Sequence, residues 1–599
     1  MCARIAHRGP DGEGVLCVVG AAGVSAGLGH RRLAILDPQA RSDQPFSVEH
    51  GGRRVHLTFN GEIYNFRELR ARLETELPGF PWRTTGDTEV VLASYLAWGE
   101  RCVDELLGMF AFAIFDEGSA DRPAELFLAR DRMGQKPLFI APSHDAIAFA
   151  SEIAPLLTLP WVDRTLSDEA LGQYLAHGYV PTPTSIYRGI TKLVPGTTLL
   201  LTQGRESRTR VFYDRNARSI SPGPIVGAVR DALSGAVRSQ LVSDVPLGCF
   251  LSGGIDSSVI ALCASRARAA AGGERLLTFT AKFDDPRYDE SAFAEVVARH
   301  LGTDHRTFPV TPHIAEDLPQ LAAAYGEPFA DSSCLPTYYL SRETRPHVKV
   351  ALSGDGGDEL FCGYDRYRAM LWAERLGQLA GPLSWFLDAP TFAKRHPKSR
   401  MARLGRFLAH AEQPPAQRYE AYMRLFPPGV FGAPRLTGTV GNQRFPEGDV
   451  VTAAMAFDRV TYLEGDLLTK LDRASMLVGL EVRSPMMDHR LVALAAGATR
   501  AELLERGKKG LLKRAFGRDL PAAVFARRKM GFALPIGEWF RGPLRSMPRD
   551  LLLGTGSFVG TRFGTREVRA MLEEHESELA DHAQRIFALV MLELWSKTG

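Results

Sequence analysis

Short apolar runs with strand character punctuate the early part of the chain. Val55-His56-Leu57-Thr58-Phe59 and Phe110-Ala111-Phe112-Ala113-Ile114-Phe115 are separated by Gly, Asp-Pro and Asn-Gly, which predicts strands joined by turns. Helical spacing interrupts them around Phe66 to Leu77 and Thr88 to Glu100. From Val15 to about Ser151 the pattern therefore predicts an α+β layer fold. The stretch from Gly204 to Pro224 turns polar and reads as a linker. A helix then leads into the apolar run Val245 to Leu251. From there to about Asp365, strand-like runs (Leu277 to Ala281, Val348 to Leu352) alternate with helix-like ones (Ser291 to Leu301, Leu335 to Thr344). That alternation predicts a parallel α/β sheet. The remainder, Arg366 to Gly599, reads as largely helical. At 599 residues the chain exceeds what one hydrophobic core supports, so we expect domains over 1–205 and 225–599 with the linker at 206–224.

Composition narrows the picture by exclusion. Apolar residues make up 45%, charged residues 24%, and the formal net charge is +3, which gives no general attraction to nucleic acid. The seven cysteines are scattered without zinc-ligand spacing, as expected in a reducing compartment. No uncharged apolar run approaches the roughly 18 residues needed to cross a bilayer, and the opening residues lack a signal-peptide core. The expectation is a soluble, cytoplasmic protein without nucleic-acid or membrane partners.

The richest chemistry lies at Ser252-Gly253-Gly254-Ile255-Asp256-Ser257-Ser258, between the run ending at Leu251 and the helix-like Val259 to Ala264. A strand, a glycine turn and a helix start form an anion cradle, because adjacent glycines permit close approach and the first helical turn offers free N–H groups. No lysine follows the glycines, unlike a Walker A loop. Asp256 beside phosphates makes sense as a Mg2+ ligand. The loop resembles that of the N-type ATP pyrophosphatases. A second glycine turn, Leu352-Ser353-Gly354-Asp355-Gly356-Gly357-Asp358-Glu359, carries three carboxylates. They repel one another unless a cation or an ammonium lies among them.

In the first half, His7-Arg8-Gly9-Pro10-Asp11-Gly12, Arg31-Arg32, Gln44-Pro45, Asn60-Gly61-Glu62 and Gly86-Asp87-Thr88-Glu89 have an order and spacing that resemble the class II glutamine amidotransferases. Chemically, Arg32 suits an α-carboxylate and Asp87 an α-ammonium, a clamp for an amino-acid zwitterion. Asn60 and the Gly61 N–H suit an oxyanion hole. Taken singly, Asn60-Gly61 also reads as a type I′ turn, and Arg32 with Asp37 as a surface pair. The resemblance adds Glu62 to the glutamine-binding set. It also implies an N-terminal cysteine nucleophile whose α-amine acts as base. Met1-Cys2 looks similar, but only Ala3 to Ala6 separate it from His7, and Cys2 lacks the family's following Gly-Ile. The favoured expectation is that the family's opening segment lies upstream of Met1 and that Cys2 is incidental. Cys2 serving as nucleophile, or a protein without glutaminase activity, are the alternatives.

Together the motifs resemble the glutamine-hydrolysing asparagine synthetases from His7 to about Arg541. That implies an Ntn-hydrolase-like αββα glutaminase domain and an adenine nucleotide α-hydrolase-like synthetase domain with a helical extension. It implies ATP contacts at Leu251, Ser252, Gly253, Gly254, Asp256, Ser257, Ala281, Ser353 and Gly354, and Mg2+ on Asp256 and Asp358. Asp355 stands where an acid supports acyl-adenylate formation, and Lys529, in Arg527-Arg528-Lys529-Met530-Gly531-Phe532, where a lysine stabilises charge on the phosphates. The implied reaction is amidation of aspartate through an acyl-AMP, with ammonia from glutamine and release of AMP and pyrophosphate. Amidation of another carboxylate, such as a sugar uronate, and an ammonia-only synthetase are the rival readings. The roles of Asp289, Glu290, Glu327, Lys470 and Asp472 stay open, as does oligomeric state, a homodimer being one option.

Overall fold

The computed structural model describes residues 1–218, 223–386, 407, 410–526 and 534–598. In the first half, β1 (Gly12–Val19) and β2 (Ser25–Arg32) form an antiparallel hairpin. Strands β3 (Phe46–His50), β4 (Arg53–Ile63), β5 (Gly108–Asp116) and β6 (Glu125–Arg130) belong to the main antiparallel sheet. β7 (Phe139–Pro142), β8 (Ile147–Ala150) and β9 (Thr191–Lys192) form a smaller antiparallel one. β10 (Thr197–Thr202) and β11 (Arg208–Val211) complete the main sheet, in the order β11-β10-β6-β5-β4-β3.

Strand alternation builds the layers. Phe110, Phe112 and Ile114 of β5 join a core with Leu69, Leu73, Val90 and Val91 from the helices Phe66–Glu76 and Thr88–Trp98. The intervening Ala111 and Ala113 meet Leu138 and Ile140 of the smaller sheet, whose close approach their short side chains permit. The expected α+β layering is present. The polar stretch after Gly204 is not all linker: Arg208–Val211 pairs with β10 as the edge of the main sheet. Its polarity is that of an exposed edge strand, which a composition reading cannot separate from a loop.

In the second half, β12 (Leu247–Phe250), β13 (Leu277–Lys282), β14 (Asp304–Pro309) and β15 (Val350–Leu352) are parallel. After a two-residue-strand hairpin, β16 (Thr439–Val440) and β17 (Gln443–Arg444), the strand β18 (Glu481–Arg483) joins them, giving the order β14-β13-β12-β15-β18. The winding reverses between β12 and β15, so the loops leaving these two strands flank the sheet's switch point. β18 lies in the part of the chain read as helical; its three residues are too few for any periodicity to register.

The helical segment before β18 also departs from its pattern. Leu463, Leu467 and Leu471 share a four-residue spacing that leaves the charges between them facing solvent on an ordinary helix. Leu463–Leu468 is instead a π-helical turn, Glu464, Asp466 and Lys470 are buried, and the Asp472 side chain is only 7% exposed. Glu464 and Asp472 face the first half of the molecule, while Lys470 turns to Asp331 and Ser333 within the second. Arg8 donates to Asp472 through Nη1 at 2.7 Å and Nη2 at 3.0 Å. Arg473 reaches Glu152 at 2.8 Å and Arg130 reaches Glu464 at 3.1 Å, while Glu327 pairs with Lys192. Several buried ion pairs therefore join the two halves.

Candidate active site

The loops at the switch point enclose a cavity of about 630 Å³. It is lined by Leu251, Ser252, Gly254, Asp256 and Ser257 after β12, Ala281 near the end of β13, and Ser353, Gly354, Asp355 and Asp358 after β15. Gly253 does not line it. That residue has a φ of 69°, and a Cβ there would fall 2.5 Å from the Phe293 carbonyl carbon. Its contribution is to let the loop rest on the helix Ser291–Leu301. Within the loop, Ser252 N donates to Ser257 Oγ at 3.2 Å. The loops also meet backbone to backbone, since a Cβ on Gly354 would lie 2.8 Å from Ser257 N.

Acidic crowding here is relieved by an ammonium. Lys509 Nζ lies 2.7 Å from Asp358 Oδ1 and also bonds Asp256. Burial opposes its charge, but the two carboxylates prevail and hold the lysine above its usual range. Sequence reasoning missed Lys509; the basic run Lys508-Lys509 was its only signal. Glu359 is pushed up to about 7, first by burial and then by Asp358. Asp355 Oδ2 accepts from Ser353 Oγ at 2.7 Å, which aims the acid along the cavity wall. On another wall, Lys470 donates to Asp331 at 2.9 Å and to Ser333 at 2.8 Å. Burial alone raises a carboxyl, yet Lys470 holds Asp331 down to about 2. Asp289 accepts from Ser291 N at 2.9 Å and stabilises a helix start. Lys529 and its loop lie outside the described residues.

A second cavity, about 350 Å³, gathers Arg32, Asn60, Gly61, Glu62 and Asp87. Asn60-Gly61 is not a hairpin turn: both residues lie within β4, opposite Ala111 and Phe110. Gly61 is required there, because its φ is 149° and a Cβ would sit 2.1 Å from Met109 O. Gln44 holds the preceding Phe59 by both backbone groups, N–H at 2.7 Å and carbonyl at 3.2 Å. Asp87 accepts from Ile63 N at 2.9 Å, and burial pushes its carboxyl up to about 7. Burial also raises Glu62, against the opposing pull of Arg483. Arg32 is no surface partner of the Asp37 carboxylate. It is buried and donates to the carbonyls of Leu36 (3.2 Å), Asp37 (2.7 Å) and Gln39 (2.9 Å) and to Asp43 (2.9 Å). The Asp37 carboxylate instead takes Arg41 and Thr85 N, both at 2.9 Å. Cys2 lines this cavity too, with Sγ over Gly29, where a Cβ would be 2.4 Å from it.

Between the two lies a small cavity of about 10 Å³ whose walls include Met109, Lys136, Leu471, Ser475, Met476 and Val482. Met476 also faces the second cavity and Leu471 the first.

A parallel sheet carrying a glycine cradle, joined to an antiparallel layer with a polar cavity of its own, defines a two-domain, two-site architecture. The model for "Asparagine synthase" matches residues 228–597, and that for "Glutamine amidotransferase domain" matches residues 1–213. The chain belongs to the asparagine synthetase family. A putative glutamine-hydrolysing asparagine synthetase of Mycobacterium tuberculosis is 34% identical over 98% of this chain and 91% of its own length. Asparagine synthetase [glutamine-hydrolyzing] 1 of Bacillus subtilis is 30% identical over 99% and 92%. A more partial relative, "Amidase chry2" of Gibberella zeae, is 31% identical over 61% of this chain and 55% of its own. No described helix is long and apolar enough to cross a membrane.

Proposed function

We propose that this protein makes asparagine from aspartate, glutamine and ATP through an acyl-adenylate. The observation that carries the reading is the convergence in one cavity of the lysine-free glycine cradle and the acid-loaded turn at Asp355 and Asp358. The cradle's N–H groups and serines suit the polyphosphate, and Ala281 lies where the switch-point rule puts the adenine. An aspartate carboxylate oxygen attacks the α-phosphorus, forming the acyl-phosphate bond as the bond to pyrophosphate breaks. Ammonia then attacks the acyl carbon, loses a proton, and AMP leaves. Lys470, held beside Asp331 and Ser333, is placed to bind the acceptor's second carboxylate. In its relatives' motif Lys529 serves the phosphates, a role we extend to this chain.

Mg2+ fits the donor set. Among the described residues no cluster of three or more His, Cys, Asp or Glu forms a ready metal site. Mg2+ needs fewer, commonly one or two carboxylates plus phosphate oxygens and water, and Asp256 and Asp358 supply the carboxylates. Bound there, the ion would neutralise charge on the phosphates. Lys509 already shows that the two acids bracket a cation.

In the second cavity, glutamine's α-ammonium goes to Asp87 and Glu62, its carboxylate to the Arg32 region, and its amide oxygen to Asn60 and the Gly61 N–H. The small cavity walled by Leu471 and Met476 supports a passage for ammonia between the two sites, shielded from protonating solvent. The test is product analysis with aspartate, ATP and Mg2+, supplied with glutamine or ammonium. Asparagine, AMP and pyrophosphate are expected. ADP instead of AMP rules out the adenylate, and AMP formed only with another carboxylate replaces aspartate as acceptor.

A further inference from the structure

One fully buried residue touches both cavities' frameworks. Arg483 ends β18 with no solvent exposure. Its Nε donates to Glu481 at 2.9 Å, and its Nη1 to the carbonyls of Gln240 (2.8 Å) and Val242 (2.7 Å). Its Nη2 lies 3.2 Å from Glu62 Oε1 but without hydrogen-bond geometry. The same residue's carbonyl accepts from Ser353 N at 2.9 Å, at the head of the acidic turn. The next residue, Ser484, has its Oγ 3.2 Å from Ser353 Oγ and donates to the Asp355 carbonyl at 3.4 Å.

The charge count around Arg483 is uneven. Glu62, Asp87 and Glu481 are buried together, against Arg483 and Lys136, whose Nζ is 3.6 Å from Glu481. An arriving α-ammonium supplies the missing positive charge and competes with Arg483 for Glu62. Displaced from Glu62, Arg483 would keep only Glu481 and the Gln240 and Val242 carbonyls, and any shift of its backbone would move the carbonyl that accepts from Ser353 N–H.

We propose that Arg483 is a positioning residue through which occupancy of the glutamine cavity changes the affinity of the nucleotide cavity, and the reverse. The proposal rests on the assignment of the two cavities to glutamine and ATP. Coupling of this kind is reciprocal, so one factor must describe both directions.

The test uses the full chain with Mg-ATP, no acceptor carboxylate, and L-methionine sulfoxide, a glutamine isostere without a scissile amide. ATP affinity is measured with and without the isostere, and isostere affinity with and without ATP. The wild type is expected to show the same factor both ways, about 5-fold or more. Arg483→Met brings that factor to about one, and Arg483→Lys, which keeps the charge, restores part of it. A merely structural role would weaken both ligands and leave the factor intact. A wild-type factor within about twofold of one, or a factor unchanged in Arg483→Met, overturns the proposal. Should the methionine variant not fold, the wild-type factor and the lysine variant still decide. Failure of the isostere or of ATP to bind the wild type at all overturns the cavity assignment itself, a separate result.

Discussion

The nucleotide cavity and the glutamine cavity are both lined with acids, and they handle them in opposite ways. At the switch point, Asp256 and Asp358 share Lys509, so part of their negative charge is met by a flexible ammonium that an incoming cation can replace. In the second cavity, Glu62 and Asp87 are buried with too little positive charge, and their carboxyls rise. One site already holds an ammonium between its acids, which an arriving cation can exchange. The other is short of a cation that its own ligand brings. The difference suits their proposed ligands, a polyanion with a metal in one case and a zwitterion with an ammonium in the other.

The largest effect is expected where that pairing is removed. Asp256→Asn combined with Asp358→Asn leaves Lys509 without its carboxylates and Mg2+ without protein ligands. AMP formation should fall by about 10³-fold or more, equivalent to roughly 4 kcal/mol, with isostere binding in the other cavity unchanged. A pyrophosphate-release assay beside a binding titration reads both. Retention of full AMP formation would remove the metal from these residues.

Next is the seam between the two regions. Arg8→Met strands Asp472, its fork partner, as a buried charge between the halves. Loss of one partner of such a pair costs about 3–5 kcal/mol. Thermal unfolding should begin earlier and separate into two transitions, one for each half. A single unshifted transition would show that the seam contributes little.

These two cases differ in what the sequence revealed of them. The nucleotide cavity was legible because its chemistry sits in two short loops, each following an apolar strand. Spacing placed Asp256 and Asp358 just past the glycines, where they open the helices Ile255–Ala270 and Gly357–Leu360, and only their shared lysine, some 150 residues beyond Asp358 (Lys509), was not picked out. The layer fold was legible for the same reason: β4, β5 and the helix Thr88–Trp98 are long local apolar runs, and the helix Phe66–Glu76 is amphipathic. The seam was not. Arg8 and Asp11 read as part of a motif, but Arg8 reaches Asp472, and Asp11 takes Lys349 at 2.8 Å. Such partners are hundreds of positions apart and carry no local pattern. The three-residue β18 and the six-residue π-helical turn at Leu463–Leu468 escaped because each spans less than two periods of the pattern that detects it, too little for a repeat to register.

Within the glutamine cavity, Asn60→Ala removes the side-chain donor of the proposed oxyanion hole and leaves the nucleotide cavity untouched. Loss of one such donor costs about 10²–10³-fold. Glutamine-dependent AMP formation should fall by that factor while ammonium-dependent formation is retained. An equal fall in both would mean that Asn60 supports the structure and not the amide chemistry.

The smallest effect is the most direct probe of the contrast. Burial pushes the Asp87 carboxyl up to about 7, against an ordinary carboxylate value in the unfolded chain. The protonated form is therefore favoured on folding. Its contribution to stability is full below the ordinary carboxylate range and is lost as pH climbs through about 7, where Asp87 must ionise without a partner. An α-ammonium reverses this preference, because it favours the carboxylate. Glutamine binding at pH 6 should expel on the order of one proton, and at pH 8 almost none, since the group is already ionised. Affinity should accordingly rise with pH up to about 7 and then level off. Calorimetric titration of the isostere in two buffers of different ionisation enthalpy counts the proton directly, and Asp87→Asn should abolish most of the buffer dependence at pH 6. Buffer-independent heats at pH 6 would mean that the glutamine cavity is balanced before its ligand arrives, and the contrast between the two sites would fail.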